Sequence, residues 1–291
     1  MAQSKIGGTK SFIHGKVGSE VYYTDHDLEG EIIQVVKSVP DTVRNPRTTA
    51  QNRGRIIMAT LYKAVGALAH IVNHSFEGYT AGRPSLSHFF SVNYELIKQD
   101  IKQHPDAGYE FGLVQWKGLY PRPGAFVIAE GPLTLGSYIE IYYETRPNFI
   151  SARFKTPNAS KTISDLKNNL NMEIGDFLTI VVITSEGRVQ YQKLTWKYEG
   201  DTSLVISPDT FFDVFKVDGT LPIEFKTSTY GKTYYFRWTE NIVGCSLGIV
   251  LTKIIDGVQI RSSSTMKVCK NVGSSYNEVL ATYPKGDKFY Y

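Results

Sequence analysis

The sequence predicts an α+β protein: a small N-terminal β-ribbon plus two-helix module, followed by mainly antiparallel, immunoglobulin-like β-sandwich domains. Three observations predict it. Both long helical apolar patterns and all six histidines lie within the first 104 residues. From Tyr109 onward the apolar period changes to two, the repeat of half-buried strands. The chain also carries 19 Tyr and 15 Phe against 4 Met, a balance suited to strands and contact surfaces. At 291 residues two or three domains are expected. They are a docking module at 1–105, a β-rich domain at 106–200 and a β-rich C-terminal domain at 201–291.

Val17–Tyr23 and Ile32–Val39 read as strands flanking the acidic, turn-like Thr24–Gly30. Asn45 suits a helix cap and Pro46 the first helical position, where no amide donor is needed. Ile57, Leu61, Val65, Leu68 and Val72 then form one apolar stripe on a helix of roughly seven turns. Gly78–Gly82 ends it. A second helix starts at Arg83-Pro84-Ser85, aligns Leu86, Phe90, Ile97 and Ile101, and stops at His104-Pro105.

Short strands are expected at Phe126–Ala129, Ser137–Tyr143, Ala152–Lys155, Phe177–Ile183, Val189–Tyr198, Leu204–Ile206, Ile223–Thr227 and Thr233–Thr239. Ile163–Leu170 is the one helical interruption. Spacing of this kind predicts sandwiches or Greek-key barrels. A last hairpin, Leu247–Ile255 with Val258–Val268, turns at Asp256-Gly257, a strong two-residue turn signal. That turn sets Cys245 opposite Val268 and points Cys269 to the other face. The two cysteines are therefore expected as unbridged thiols.

The net charge of +4 is spread too thinly for a nucleic-acid binder. The start, MAQSKIGGTKSF, has no apolar leader core, and no run of 18 apolar residues occurs, so neither export nor membrane crossing is expected. His70 and His74 sit one helical turn apart, but Ile71 stands where a zinc protease needs Glu and no third ligand is spaced to join them; no metal and no cofactor are expected. Asp25, Asp27, Glu29 and Glu31 lack the register of a calcium loop and read as a solvated hairpin tip. Gly7-Gly8-Thr9-Lys10 is a fragment of a phosphate loop, and no nucleophile elbow is present. No histidine follows residue 104, which removes the commonest general base from the β region. The chain is expected not to be an enzyme. A carboxylate-based hydrolase is the remaining catalytic alternative, and no pattern marks its carboxylate pair.

The basic stretch Lys37, Arg44, Arg47, Arg53, Arg55 and Lys63, broken only by Asp41, is the feature that points to a partner. Arg44, Arg47, Arg53 and Arg55 are the candidate protein-interface residues, suited to a complementary acidic surface. The plainer alternative is a solvated helix face.

The order of these motifs carries a resemblance. A Gly-x-Val-Gly ribbon with Val-Tyr-Tyr (Gly15–Tyr23) precedes Asn45-Pro46-Arg47-Thr48-Thr49-Ala50-Gln51-Asn52-Arg53. Phe76-Glu77-Gly78-Tyr79 and Asn93-Tyr94 follow. This resembles an uncharacterised protein family of Bacteroidota and their phages, including the crAss-like group. The likeness spans residues 7–104, with a fainter echo from Asp256-Gly257 through Ser262-Ser263-Ser264. The resemblance implies a phage-linked structural role and brings no catalytic residue. The function expected is a non-enzymatic virion structural subunit (neck ring, head–tail connector or capsid-associated), assembled in the bacterial cytoplasm with copies of itself and other virion proteins. No membrane, nucleic-acid or small-molecule partner is expected. The alternative is a carbohydrate- or receptor-binding β-sandwich module, for which Trp116, Trp196 and Trp238 are the residues to inspect, although core burial is the expectation for all three.

Overall fold

In the computed structural model the described residues are 3–7, 10–17, 20–26, 31–38, 43–44, 47–106, 110–135, 139–145, 148–155, 162–205, 213–220, 223–227, 233–238, 245–268, 273–284 and 288–289. They divide into two units, Met1–Thr48 with Lys285–Tyr291, and Thr49–Pro284.

The first unit is an antiparallel sheet in sequence order: β1 (Gln3–Gly7), β2 (Lys10–Val17), β3 (Glu20–His26) and β4 (Ile32–Ser38). A short pair joins β5 (Val43–Arg44) to β17 (Lys288–Phe289). The expected two-stranded ribbon is thus four-stranded. The start of the chain forms strands although its glycines and polar residues hide any alternation. The expected strand Val17–Tyr23 is divided between β2 and β3.

In the second unit α1 (Thr49–Val72) is the long helix of the apolar stripe. It begins at Thr49, after Arg47 in a left-handed conformation (φ 44°); Asn45 and Pro46, the expected cap and first-turn residues, lie outside the described residues. Its length and hydropathy would let it cross a membrane, but Ile56, Ile57, Leu61, Ala64, Leu68 and Val72 are buried in the protein core. Gly82 (φ 89°) and Pro84 open α2 (Arg83–Gln103). Its buried face runs through Ser85, Phe89, Asn93 and Ile97, one position away from the expected Leu86 and Phe90, which are only partly buried. The reason is polar. Asn93 Nδ2 donates to the Val127 carbonyl (3.0 Å) and the Val127 amide donates to Asn93 Oδ1 (2.8 Å), so the helix turns an amide toward a strand edge.

That strand is β6 (Val127–Pro132), at one edge of the main antiparallel sheet. The other members are β9 (Phe177–Thr184), β10 (Val189–Trp196), β11 (Phe215–Gly219), β14 (Cys245–Ile255) and β15 (Val258–Thr265), in the order β11-β10-β9-β14-β15-β6, with β16 (Lys267–Val268) also on β14. One face, with Leu178, Ile180, Val182 and Trp196, packs with α3 (Ile163–Leu170). The other, with Val181, Ile183 and Val250, shares a core with α1, α2 and α4 (Tyr276–Thr282). Capping boxes start the two short helices, Thr162 with Asp165 and Ser275 with Glu278. A second antiparallel sheet has the order β12-β13-β8-β7, from β12 (Ile223–Thr227), β13 (Thr233–Trp238), β8 (Asn148–Lys155) and β7 (Ile139–Thr145).

The α+β class therefore holds. The units do not divide at 105 and 200: the helices share a core with strands of residues 127–266, and the β10–β11 and β9–β14 pairs both cross residue 200. Two amphipathic helices bury only part of their apolar stripes on each other and need the sheet for the rest. Of the expected strand Leu204–Ile206, Val205 forms an isolated bridge with Thr162, and Ile206 lies outside the described residues.

The final hairpin turns where expected, with Asp256 (φ 51°) and Gly257 (φ 78°) both left-handed, the backbone of a type I′ turn. Ile255 pairs with Val258. Further along, Ser246 faces Val268 and Leu247 faces Lys267, a register displaced by one. Between the two registers the buried Ser262 hydroxyl accepts the Leu251 amide at 3.0 Å. Cys245, which is buried, is therefore not the residue facing Val268, and the register argument that separated the cysteines is overturned. Cys269 lies outside the described residues.

Candidate functional site

The four expected interface arginines divide between the two units. Arg44 lies in β5 with its side chain outside the described residues, and Arg47 is half-buried; both belong to the first unit. Arg53 and Arg55 belong to the second. There Arg53 lies over the Tyr276 ring, 5.8 Å from its centroid, and Arg55 donates to Asn52 Oδ1 at 3.1 Å.

Of the tryptophans, Trp196 is core, with its indole donating to the Tyr198 carbonyl at 3.3 Å. Trp116 is not core: it is 42% exposed, because its own amide is tied to Thr282 Oγ1 (3.0 Å) and its ring packs edge-on against Tyr283. The Trp238 side chain is outside the described residues. The acidic tip 27–30 is outside them too; the strands on either side of it pair as an antiparallel hairpin.

His70 and His74 part company. The His70 ring sits 4.9 Å from that of Tyr191, and desolvation lowers its pKa from the ordinary 6.5. His74 faces Asn73. Among the described residues no group of three His, Cys, Asp or Glu side chains is arranged to hold a metal ion.

Both histidines instead border a site that spacing did not reveal. On the sheet face beneath α1, the buried row at Val181 gives way to polar rows. Lys193, Thr179 and Val250 lie side by side, and Phe177, Thr252 and Arg261 form the next row. The end of α1 and the turn after it cover these rows incompletely and leave a cavity of about 220 Å³. A second cavity, about 750 Å³, lies between chain segment 74–81, the end of β6 and the start of β15. His74, Ser75, Gln259 and Arg261 line both.

Arg261 is half-buried at this junction. It donates from Nη1 to the His74 carbonyl and from Nη2 to Gln259 Oε1 (2.5 Å), and burial lowers its pKa. Its backbone is set by a close approach to Gly131, where a Cβ would stand 2.1 Å from the Arg261 carbonyl oxygen. Lys193 Nζ lies 3.8 Å from the centroid of the Phe177 ring, a cation–π contact. Among the described residues no acidic one lines the smaller cavity. Glu77 and Glu130 line the larger one beside the exposed Tyr79. Tyr79 stacks on His88 (4.1 Å, 25°), whose Nε2 is 2.7 Å from Glu130 Oε2. The Ser75 hydroxyl is committed to the Ile71 carbonyl.

This arrangement can hold and orient a ligand by charge, hydrogen bonds and ring stacking. Nothing in sequence spacing joins His74, Lys193 and Arg261, and Lys193 and Arg261 stand among other polar residues of β10 and β15, so the sequence does not mark them. Compared with known proteins, the chain matches no family model, no curated protein and no solved structure. The fold and site define a mixed α+β protein with an antiparallel sheet, helices on both of its faces, and a cavity of two adjoining chambers.

Proposed function

We propose that this chain is a non-enzymatic assembly protein, a bacteriophage virion structural subunit that works by joining copies of itself and other virion proteins. One observation carries the reading. Among the described residues of β2–β4, apolar side chains stand on both faces, mixed with polar ones, and are exposed or half-buried. By register, Val17, Tyr22, Val36 and Ile32 share one face with Glu20, Thr24 and Gln34, and Val21, Tyr23, Val35 and Ile33 share the other with Lys16, Asp25 and Lys37. No side chain described in β2–β4 is buried, and Val17, Ile32 and Val36 are each about half exposed, at 49%, 50% and 47%. An antiparallel sheet normally packs one face on a core and gives water the other, polar one. Exposed Val17, Ile32 and Val36, with β4 as an edge strand, suit a sheet met by neighbouring chains. The resemblance over residues 7–104 supplies the virion setting, and the two antiparallel sheets of residues 127–268 support an immunoglobulin-like sandwich as the finer description of the β-rich part.

Light scattering on the purified full chain tests the proposal. The wild type is expected above monomer mass, rising with concentration. The double variant Ile32→Asp/Val36→Asp is expected as a monomer with an unchanged main melt. A wild type that stays monomeric throughout would remove assembly as the function.

A second reading, a binding module, is favoured by the Tyr79 platform. The same scattering experiment separates the two, since a binding module needs no self-association.

A further inference from the structure

We infer that the smaller cavity binds a phosphate or sulfate group through Lys193 and Arg261, and that the hydroxylated, sugar-like ring bearing it lies in the larger cavity against Tyr79. The inference does not depend on the assembly reading.

The charge pattern comes first. Lys193 and Arg261 line one chamber together with His70 and His74, and among the described residues no Asp or Glu lines it. Among the described residues neither cation has a carboxylate within ion-pair distance, although five such pairs form elsewhere. Two cations facing one partly enclosed space repel each other, and a half-buried guanidinium loses hydration. An oxyanion between them offsets both costs.

Arg261 is also held ready. Its bonds to the His74 carbonyl and Gln259 use two of its five N–H groups and fix the plane of the fork. The remaining donors need little further ordering to meet a tetrahedral oxyanion, so less entropy is lost on binding. Thr179 and Thr252 add hydroxyls to the same wall. At about 220 Å³ the chamber holds such a group with room for water, each molecule of which takes about 30 Å³.

The second chamber has the opposite character. Glu77 and Glu130 line it, so the anionic end of a ligand is turned away while sugar hydroxyls find acceptors. Tyr79 is backed by His88, itself held by Glu130, and leaves a rigid aromatic surface for the apolar face of a ring. Arg261 lines both chambers, so they adjoin at its side chain, where the oxyanion and the ring that bears it would meet.

Calorimetry on the full chain, at ionic strength fixed with chloride, tests this with five probes: inorganic phosphate, inorganic sulfate, glucose 6-phosphate, glucose 6-sulfate and glucose. At least one ester is expected to bind saturably, more tightly than its inorganic ion and than glucose; which ester does so identifies the oxyanion. Lys193→Gln is expected to weaken that ester about tenfold or more, the scale of one charge-assisted bond. Lys102→Gln, an exposed lysine on α2, is expected to leave it unchanged. Tyr79→Ala should erase the advantage of the ester over the inorganic ion. Arg261→Gln should match Lys193→Gln, and if its melt shows a damaged fold, Lys193→Gln decides alone. Absence of saturable binding by every probe overturns the inference. So does equal weakening by Lys193→Gln and Lys102→Gln, which would mean diffuse surface charge.

Discussion

Asp100 shows how a single buried acid shapes stability. Its carboxylate accepts the Phe111 amide at 3.2 Å, yet desolvation dominates and raises its pKa above the ordinary 3.8. The folded state thus holds the Asp100 proton more tightly than the unfolded chain does. Its favourable contribution is present at low pH and is lost as pH rises from 3.8 through the raised value, leaving a charged, buried group at neutrality. Asp100→Asn keeps the acceptor and removes the charge. The variant is expected to melt above wild type at pH 7, with the gap closing below pH 3.8, where both side chains are neutral. A gap that stays constant across that range would mean that the Asp100 charge is not the cause.

At the scale of elements, the docking of α2 on β6 depends on one polar side chain in an apolar face. Asn93 makes both a donor and an acceptor bond to Val127, as a neighbouring strand would. Replacing it with Leu looks favourable on pattern alone, because it completes the apolar stripe. The structure predicts the reverse: Asn93→Leu leaves an amide and a carbonyl of β6 without partners, at a cost of roughly 1–3 kcal/mol for a buried unmet group. Urea unfolding measures it, and a midpoint at or above wild type would show that the Asn93 bonds hold nothing.

For the molecule as a whole, the two units differ in how their strands are covered. Buried side chains run along β9 and β14 on both faces, whereas none of those described in β2–β4 is buried. Local opening is easiest where few apolar contacts oppose it. In hydrogen exchange on the dilute chain, the amides of β2–β4 are expected to exchange well before those of β9 and β14 and, on the proposed assembly role, to gain protection as concentration rises. Protection of β2–β4 in the dilute chain, equal to that of β9, would contradict the expected ease of opening.

Local chemistry decided much of the secondary structure. The stripe from Ile57 to Val72, the Pro84 start of α2, the Asp256-Gly257 turn and Ile163–Leu170 are all set by neighbours within one turn or one strand, so they can be read from adjacent residues. Strands β1 and β2 could not be read this way, because Gly7, Gly8 and Gly15 carry no side chain to show which face is buried. Tertiary structure alone decided the sharing of one core by residues 56 and 250, the rotation of α2 about Asn93, and the one-residue slip behind Ser262. It also decided the cavity, whose His74, Lys193 and Arg261 are brought together by strand order and by the close approach permitted at Gly131. Periodicity reports which face of an element is apolar; which other element meets that face, and in what register, is settled only by packing and by the hydrogen bonds that packing must leave satisfied.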